Sequence, residues 1–222
     1  MAQFFVKLGG EGKLVSPIEV RGAPIGSALM APLIQIVIGT TRQGRFSDKP
    51  AAWLEDRLAQ RDDLSFEVVD LREYPLPLFD QPIAPARSMR DYPNADVARL
   101  GKTFDRADGY IIITSEYNHG YPASLKNALD HFFPELNRKP VTFVGYGNVG
   151  GARAVEQLRL VAVEFEMAPL RHAIHILPDL MIAAMQADPF SVELFASLDQ
   201  RLEMSLSDLV WWSLALRAAR TS

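Results

Sequence analysis

The chain has 222 residues, 48% of them hydrophobic and 23% charged, which is the composition of a globular protein large enough to bury a core without metal or disulfide. It contains no cysteine, which excludes disulfides, thiolate metal sites and cysteine nucleophiles, and its net charge of −4 argues against a nucleic-acid partner. No run of about 18 apolar residues is present, so no membrane span is expected, and a cytoplasmic location fits.

Residues 1–29 differ from the rest. They hold several Gly and Pro, and their apolar runs are only two or three residues long. They read as an N-terminal arm or extension without the apolar core of a signal peptide, and Met30, which precedes a strand, could serve as an alternative start. Residues 30–222 then form one domain.

From residue 32 onward, strand-like and helical runs alternate. Leu33 to Ile38 is almost continuously apolar and ends at Gly39, as expected of a strand buried on both faces. A helix follows over 47–60, with Ala51, Leu54 and Leu58 on one face, and then a strand over 65–70. The proline-rich stretch 72–93 must be loop. Next come a short helix over 96–106, a β-branched strand over 109–114, a helix over 121–133 and a strand over 141–144. A helix over 151–166 and a fifth strand over 170–177 complete the alternation. In the tail, Phe190, Leu194, Leu198, Leu202, Leu206 and Leu209 lay one stripe on a long helix spanning about 188–218.

This alternation calls for an α/β fold, a doubly wound parallel sheet with right-handed crossovers. Five strands suit the flavodoxin-like order 2-1-3-4-5, in which ligands sit beyond the carboxyl ends of strands at the switch between strands one and three. Three loops therefore matter. After strand one, Gly39-Thr40-Thr41-Arg42-Gln43-Gly44-Arg45-Phe46-Ser47 combines a flexible backbone, hydroxyls, two arginines and a helix N-terminus, which together favour a phosphate; a plain turn with solvated arginines is the alternative. After strand three, Ser115-Glu116-Tyr117-Asn118-His119-Gly120 offers donors and acceptors to the edge of a flat heteroaromatic ring, or simply an Asx-type turn into a helix at Pro122. After strand four, Gly145-Tyr146-Gly147-Asn148-Val149-Gly150 spells a dinucleotide fingerprint in the wrong context, since that motif belongs after the first strand. Its glycines read instead as a thin wall that a planar cofactor can approach.

Other chemistries lack their residues. His172 and His175 would face opposite sides of one strand, and His119 and His131 have no evident partner, so no metal site is expected. There is no G-x-S-x-G elbow for a hydrolase, and a receiver domain would need acidic residues where Gly-Thr-Thr-Arg stands.

The chain resembles the NADPH-dependent FMN reductase family of quinone, azo and chromate reductases. The resemblance rests on the strand-one loop, on Asp70-Leu71-Arg72-Glu73-Tyr74-Pro75-Leu76-Pro77, on Glu116 to Asp130, on Lys139-Pro140-Val141 and on Gly150-Gly151-Ala152-Arg153, in family order over about 32–178. It implies FMN as cofactor and NAD(P)H as co-substrate. Thr40, Arg42, Arg45, Phe46 and Ser47 would surround the phosphate; Ser115, Glu116, Tyr117 and Asn118 would line the ring; Gly147 would lie against it. No side chain is implied as catalytic. The chain departs from the family where many relatives have Pro at Ser115, and Ser and Asn at Arg45 and Ser47. The resemblance further implies a homodimer or homotetramer, and Tyr117, Tyr121, His131, Phe132 and Phe133 suit an interface or a core equally. A flavodoxin-type electron carrier and a flavin-free regulatory protein are the alternative functions.

Overall fold

The computed structural model describes residues 30–88 and 90–221. The arm expected over 1–29 lies outside the described residues. Elements follow in the order β1 (Leu33–Ile38), α1 (Asp48–Leu58), β2 (Ser65–Asp70), α2 (Ala95–Arg106), β3 (Gly109–Ser115), α3 (Ala123–Asp130), β4 (Pro140–Tyr146), α4 (Ala152–Glu164), β5 (Ala168–Pro169), β6 (Ile174–Ile176), α5 (Pro178–Gln186) and α6 (Asp199–Thr221). All pairings are parallel, in the order β2-β1-β3-β4-β5, with β6 also on β4. This is the flavodoxin-like order that the alternation predicted.

The near-continuous apolar strands serve two cores at once. Ile34, Ile36, Ile38, Ile111, Ile113 and Val144 pack toward α1 and α6, against Trp53, Leu54, Leu202, Leu206 and Leu209. Val37, Tyr110, Ile112, Val141 and Phe143 face the other way, toward α2, α3 and α4. Because side chains alternate along a strand, burial on both faces removes the polar half of the usual pattern.

Three boundaries differ from the expected ones. The fifth strand is two short pieces, because side chains take the carbonyls between them: Arg159 donates to Leu170 O (2.5 Å) and Arg171 O (3.1 Å), and Thr142 Oγ1 to His172 O (2.7 Å). The third helix runs over Ala123–Asp130 rather than 121–133: Pro122 is extended (ψ 141°), and Phe133 precedes Pro134, which disfavours a helical residue before it. The tail is not one helix from 188. Val192–Leu198 is a 3-10 segment, and α6 begins at Asp199, whose carboxylate accepts from Trp53 Nε1 (2.9 Å) and Arg57 Nε (3.1 Å). Both segments bury one side, so a four-residue apolar spacing could not separate them.

His131 and Phe132, considered for an interface, are buried within the chain. His131 Nε2 lies 3.0 Å from Pro77 O, which can only accept, so this nitrogen carries the proton. With Asn127, which donates to Pro77 O and accepts from Phe79 N, it pins the proline-rich connection to α3.

Phe195 is fully buried against Phe46, Trp53 and Phe190, and so couples the C-terminal segment to the loop after β1. Phe195→Ala should cost about 3–4 kcal/mol and lower Tm by roughly 10 °C in calorimetry. A drop of a degree or two would mean that this segment does not support the α1 face.

Candidate active site

The loops after β1, β3 and β4 meet at the carboxyl edge of the sheet. In the first, Gly39 N still bonds Ile113 O (3.0 Å), so the chain leaves the sheet only at Thr40. Thr40 Oγ1 and Tyr117 Oη lie 3.0 Å apart, and Arg42 N points to the same Thr40 hydroxyl (3.4 Å). Ser47 enters α1, and its buried Oγ completes no hydrogen bond. The same is true of the buried Ser115 Oγ at the end of β3, and both hydroxyls lie near the Tyr146 phenol at the end of β4. Burial pushes that phenol above the ordinary tyrosine value despite the two serines.

The β3 loop is a tight reversal. Tyr117 and Gly120 exchange both backbone hydrogen bonds (2.8 and 2.9 Å), and Asn118 (φ 50°) and His119 (φ 69°) both adopt the left-handed conformation. Two such residues form the turn that matches strand twist, and Asn tolerates it well. The turn exposes Asn118 and aims Tyr117 at Thr40. Burial alone would raise the Tyr117 phenol. Ser115, Thr40 and the Arg42 guanidinium around it outweigh that and hold it below its ordinary value.

Four of the expected residues are engaged within the protein. The Glu116 carboxylate is buried and accepts from the Arg153 backbone N (3.1 Å) and Nε (2.6 Å), fastening this loop to the start of α4. Burial works against its charge, but Arg153 holds its pKa below the usual carboxylate range. The Arg45 side chain is 3% exposed; it donates to both oxygens of Asp70 (2.6 and 2.5 Å), to Asp48 (2.7 Å) and to Thr40 O (2.8 Å). Arg45 is thus a brace between loop and β2. Phe46 packs edge-on to Tyr146 and Phe195 in the core. Gly147 adopts φ 143°, and a Cβ there would come within 3.2 Å of Glu116 Cβ, so its thinness already serves packing within the protein.

The structure therefore brings together Thr40, Ser47, Ser115 and Tyr117, with Arg42 beside Tyr117 and, among the described residues, not paired to any carboxylate. Tyr146, Asp48, Asp70, Arg72 and Arg153 belong to the same assembly and carried no role in the sequence reading. Tyr146 was legible as the register partner of Ser115 once β3 and β4 pair. Asp70 ends the strand beside β1, where its charge faces the loop arginines. A 440 Å³ cleft lined by Thr41, Arg72, Tyr74, Pro75, Ser124 and Asn127 opens beside this assembly. Two buried hydroxyls that complete no hydrogen bond, a guanidinium paired to no carboxylate among the described residues and a helix N-terminus fit a ligand with a phosphate and a polar chain, as FMN has.

Residues 32–178 match the NADPH-dependent FMN reductase family. The chain belongs to that family. An NAD(P)H-dependent FMN reductase of Schizosaccharomyces pombe is 33% identical over 162 residues, covering 72% of this chain and 80% of the relative. A quinone reductase of Escherichia coli K12 is 34% identical over 143 residues, covering 60% and 72%. The flavoenzyme NAD(P)H:(acceptor) oxidoreductase FerB of Paracoccus denitrificans shares the fold, with a TM-score of 0.63 at 21% identity over 83% of this chain and 98% of that one. The protein is accordingly an oxidoreductase that uses FMN with NAD(P)H as co-substrate. Among the described residues no helix is long and apolar enough to cross a membrane.

In this family member the Arg45–Asp70 brace sets a pH dependence. Burial opposes the Asp70 charge, but Arg45 and the Arg72 backbone overcome this and lower its pKa. The folded chain then binds fewer protons than the unfolded one in acid. The stabilisation is present above the unfolded value near pH ~4 and is lost as pH falls through the folded value. Tm should fall as pH drops below about 5, and Asp70→Asn should flatten that limb; an unchanged slope would exclude Asp70 as its source. At neutral pH, Arg45→Ala should cost roughly 2–3 kcal/mol in denaturant unfolding, less than for a fully buried pair because Asp70 keeps some exposure.

Proposed function

We propose that the carboxyl-edge assembly is the FMN site and that the enzyme reduces a small acceptor, a quinone foremost, in a ping-pong cycle. The observation that carries this is the convergence of the buried Ser47 and Ser115 hydroxyls, which complete no hydrogen bond, with Thr40, Tyr117 and Arg42 where β1, β3 and β4 end. When bound, FMN supplies the redox chemistry, taking hydride from NAD(P)H and delivering it to the acceptor. The chain's own residues bind and orient. Arg42, Thr40 and Ser47 hold the phosphate with the α1 N-terminus; Ser115 and Tyr117 meet the ribityl chain and ring edge. Exposed Asn118 would be available to the ring. Glu116 and Gly147 would act by fixing the β3 and β4 loops, and Arg45 and Phe46 by fixing the β1 loop. No side chain is assigned as acid or base.

The quinone assignment is supported by the quinone reductase of Escherichia coli K12; azo compounds, free flavin and metal oxyanions remain acceptors to assay. Residues 30–222 make up the flavin unit in this proposal, since all three loops lie there. Assembly as a homodimer or homotetramer and a cytoplasmic location complete it, with the half-buried Tyr117 and Tyr121 as interface candidates now that Phe132 and His131 are core.

FMN titration should give saturable binding, and the loaded protein should oxidise NAD(P)H with a quinone. Arg42→Ala should weaken FMN about ten- to a hundred-fold, the loss of one charge-assisted hydrogen bond of roughly 1.5–3 kcal/mol. Riboflavin, which lacks the phosphate, should hardly change. Equal losses for both flavins would move Arg42 from the phosphate to the ring or the fold.

A further inference from the structure

Three consecutive carbonyls of the β1 loop are taken up by two arginines. Arg45 Nη1 donates to Thr40 O (2.8 Å), Arg72 Nε to Thr41 O (3.4 Å) and Arg72 Nη2 to Arg42 O. The guanidinium groups are themselves held from the β2 side. Asp70 takes both terminal nitrogens of Arg45 and the Arg72 backbone N, and Asp48 takes Arg45 Nε, with Arg72 Nη1 3.7 Å from its other oxygen. Two positive and two negative groups therefore cancel within the network.

A trans peptide sets its N–H opposite its C=O. If the carbonyls of 40, 41 and 42 tip toward β2, the amides of Thr41, Arg42 and Gln43 tip away from it. In the sheet order β1 lies between β2 and β3, so away from β2 means toward Tyr117 and Ser115. The one amide of the three with an acceptor agrees: Arg42 N points to the Thr40 hydroxyl, which contacts Tyr117. The amides of Thr41 and Gln43 have no acceptor among the described residues. Successive amides turned to one side form an anion-binding concavity.

We infer that Arg45 and Arg72 are positioning residues that turn the carbonyls of residues 40–42 outward, so that the loop amides face the phosphate. This rests on the proposal that the loop binds the FMN phosphate. Because Asp48 and Asp70 neutralise them, the two arginines supply orientation, while Arg42 supplies the charge. A forked guanidinium is needed at position 72, since it spans two carbonyls at once and a lysine ammonium would reach one.

The test uses Arg72, which is a third exposed and outside the core, so its variants should fold where Arg45 variants can fail. FMN and riboflavin affinities are measured for wild type, Arg72→Met and Arg72→Lys, and the Thr41 and Gln43 amide signals are followed by NMR as inorganic phosphate is added to the flavin-free protein. Arg72→Met should weaken FMN about tenfold, leave riboflavin within about twofold and abolish the phosphate response of both amides. Arg72→Lys should lose nearly as much as Arg72→Met. Full recovery of FMN affinity in Arg72→Lys would show that charge alone matters and overturn the inference, as would equal losses for the two flavins. Wild type that responds to phosphate but binds no FMN would keep the amide concavity and sink the flavin site. Wild type that responds to neither would sink both.

Discussion

The ion pair between Arg45 and Asp70 joins the loop after β1 to the last residue of β2, and the geometry of the site depends on it. A planar guanidinium that meets both carboxylate oxygens leaves little angular freedom, and Arg45 spends its remaining donors on Thr40 O and Asp48. The pair adds little net stability, because removing both charges from water costs about as much as their attraction returns. Its effect is geometric. A glycine-flanked loop that would otherwise sample many backbone conformations is tied to a strand, and the ordering entropy is lost during folding rather than on cofactor binding.

The β3 loop is fixed by the same device with the charges reversed. Here the carboxylate belongs to the loop and the guanidinium to the following helix, and Glu116 also accepts the Arg153 backbone N at the start of α4. A carboxylate at a helix N-terminus is favoured by the helix dipole. The close approach of Gly147 to Glu116 locks the β4 loop onto this clamp, since any side chain there would need both space and a φ that L-residues avoid. The proposed site is thus a set of neutral hydroxyls and amides, plus Arg42, held by ion pairs between its loops and the elements around them. An enzyme whose redox chemistry resides in a bound flavin needs that kind of rigid, uncharged support more than it needs a titrating side chain.

The three loops that meet at the carboxyl edge were legible in the sequence, but the orientation of their residues was legible only in part. Glycine, hydroxyl and aromatic residues at strand ends marked all three loops. The partners of the long polar side chains were not legible. The Arg45 and Glu116 side chains meet partners 25 and 37 residues away, which leaves the backbone of their loops as what they can offer a cofactor. The glycines after β4 suggested room for a cofactor, and in the structure they also accommodate Glu116 and the turn into α4.

By itself the sequence determined the strands, their parallel arrangement and the switch point, because burial on both faces of β1, β3 and β4 leaves a one-dimensional trace in the run of apolar residues. Tertiary structure alone decided which carboxylate each arginine meets, where the fifth strand breaks and where α6 begins. Arg159 and Thr142 claim the carbonyls that would have continued the strand, and Asp199 starts α6 where Trp53 and Arg57 can reach it. Periodicity records which face of an element is buried. It carries no record of a hydrogen bond between elements, because such a bond depends on distances that exist only after the sheet and helices have packed.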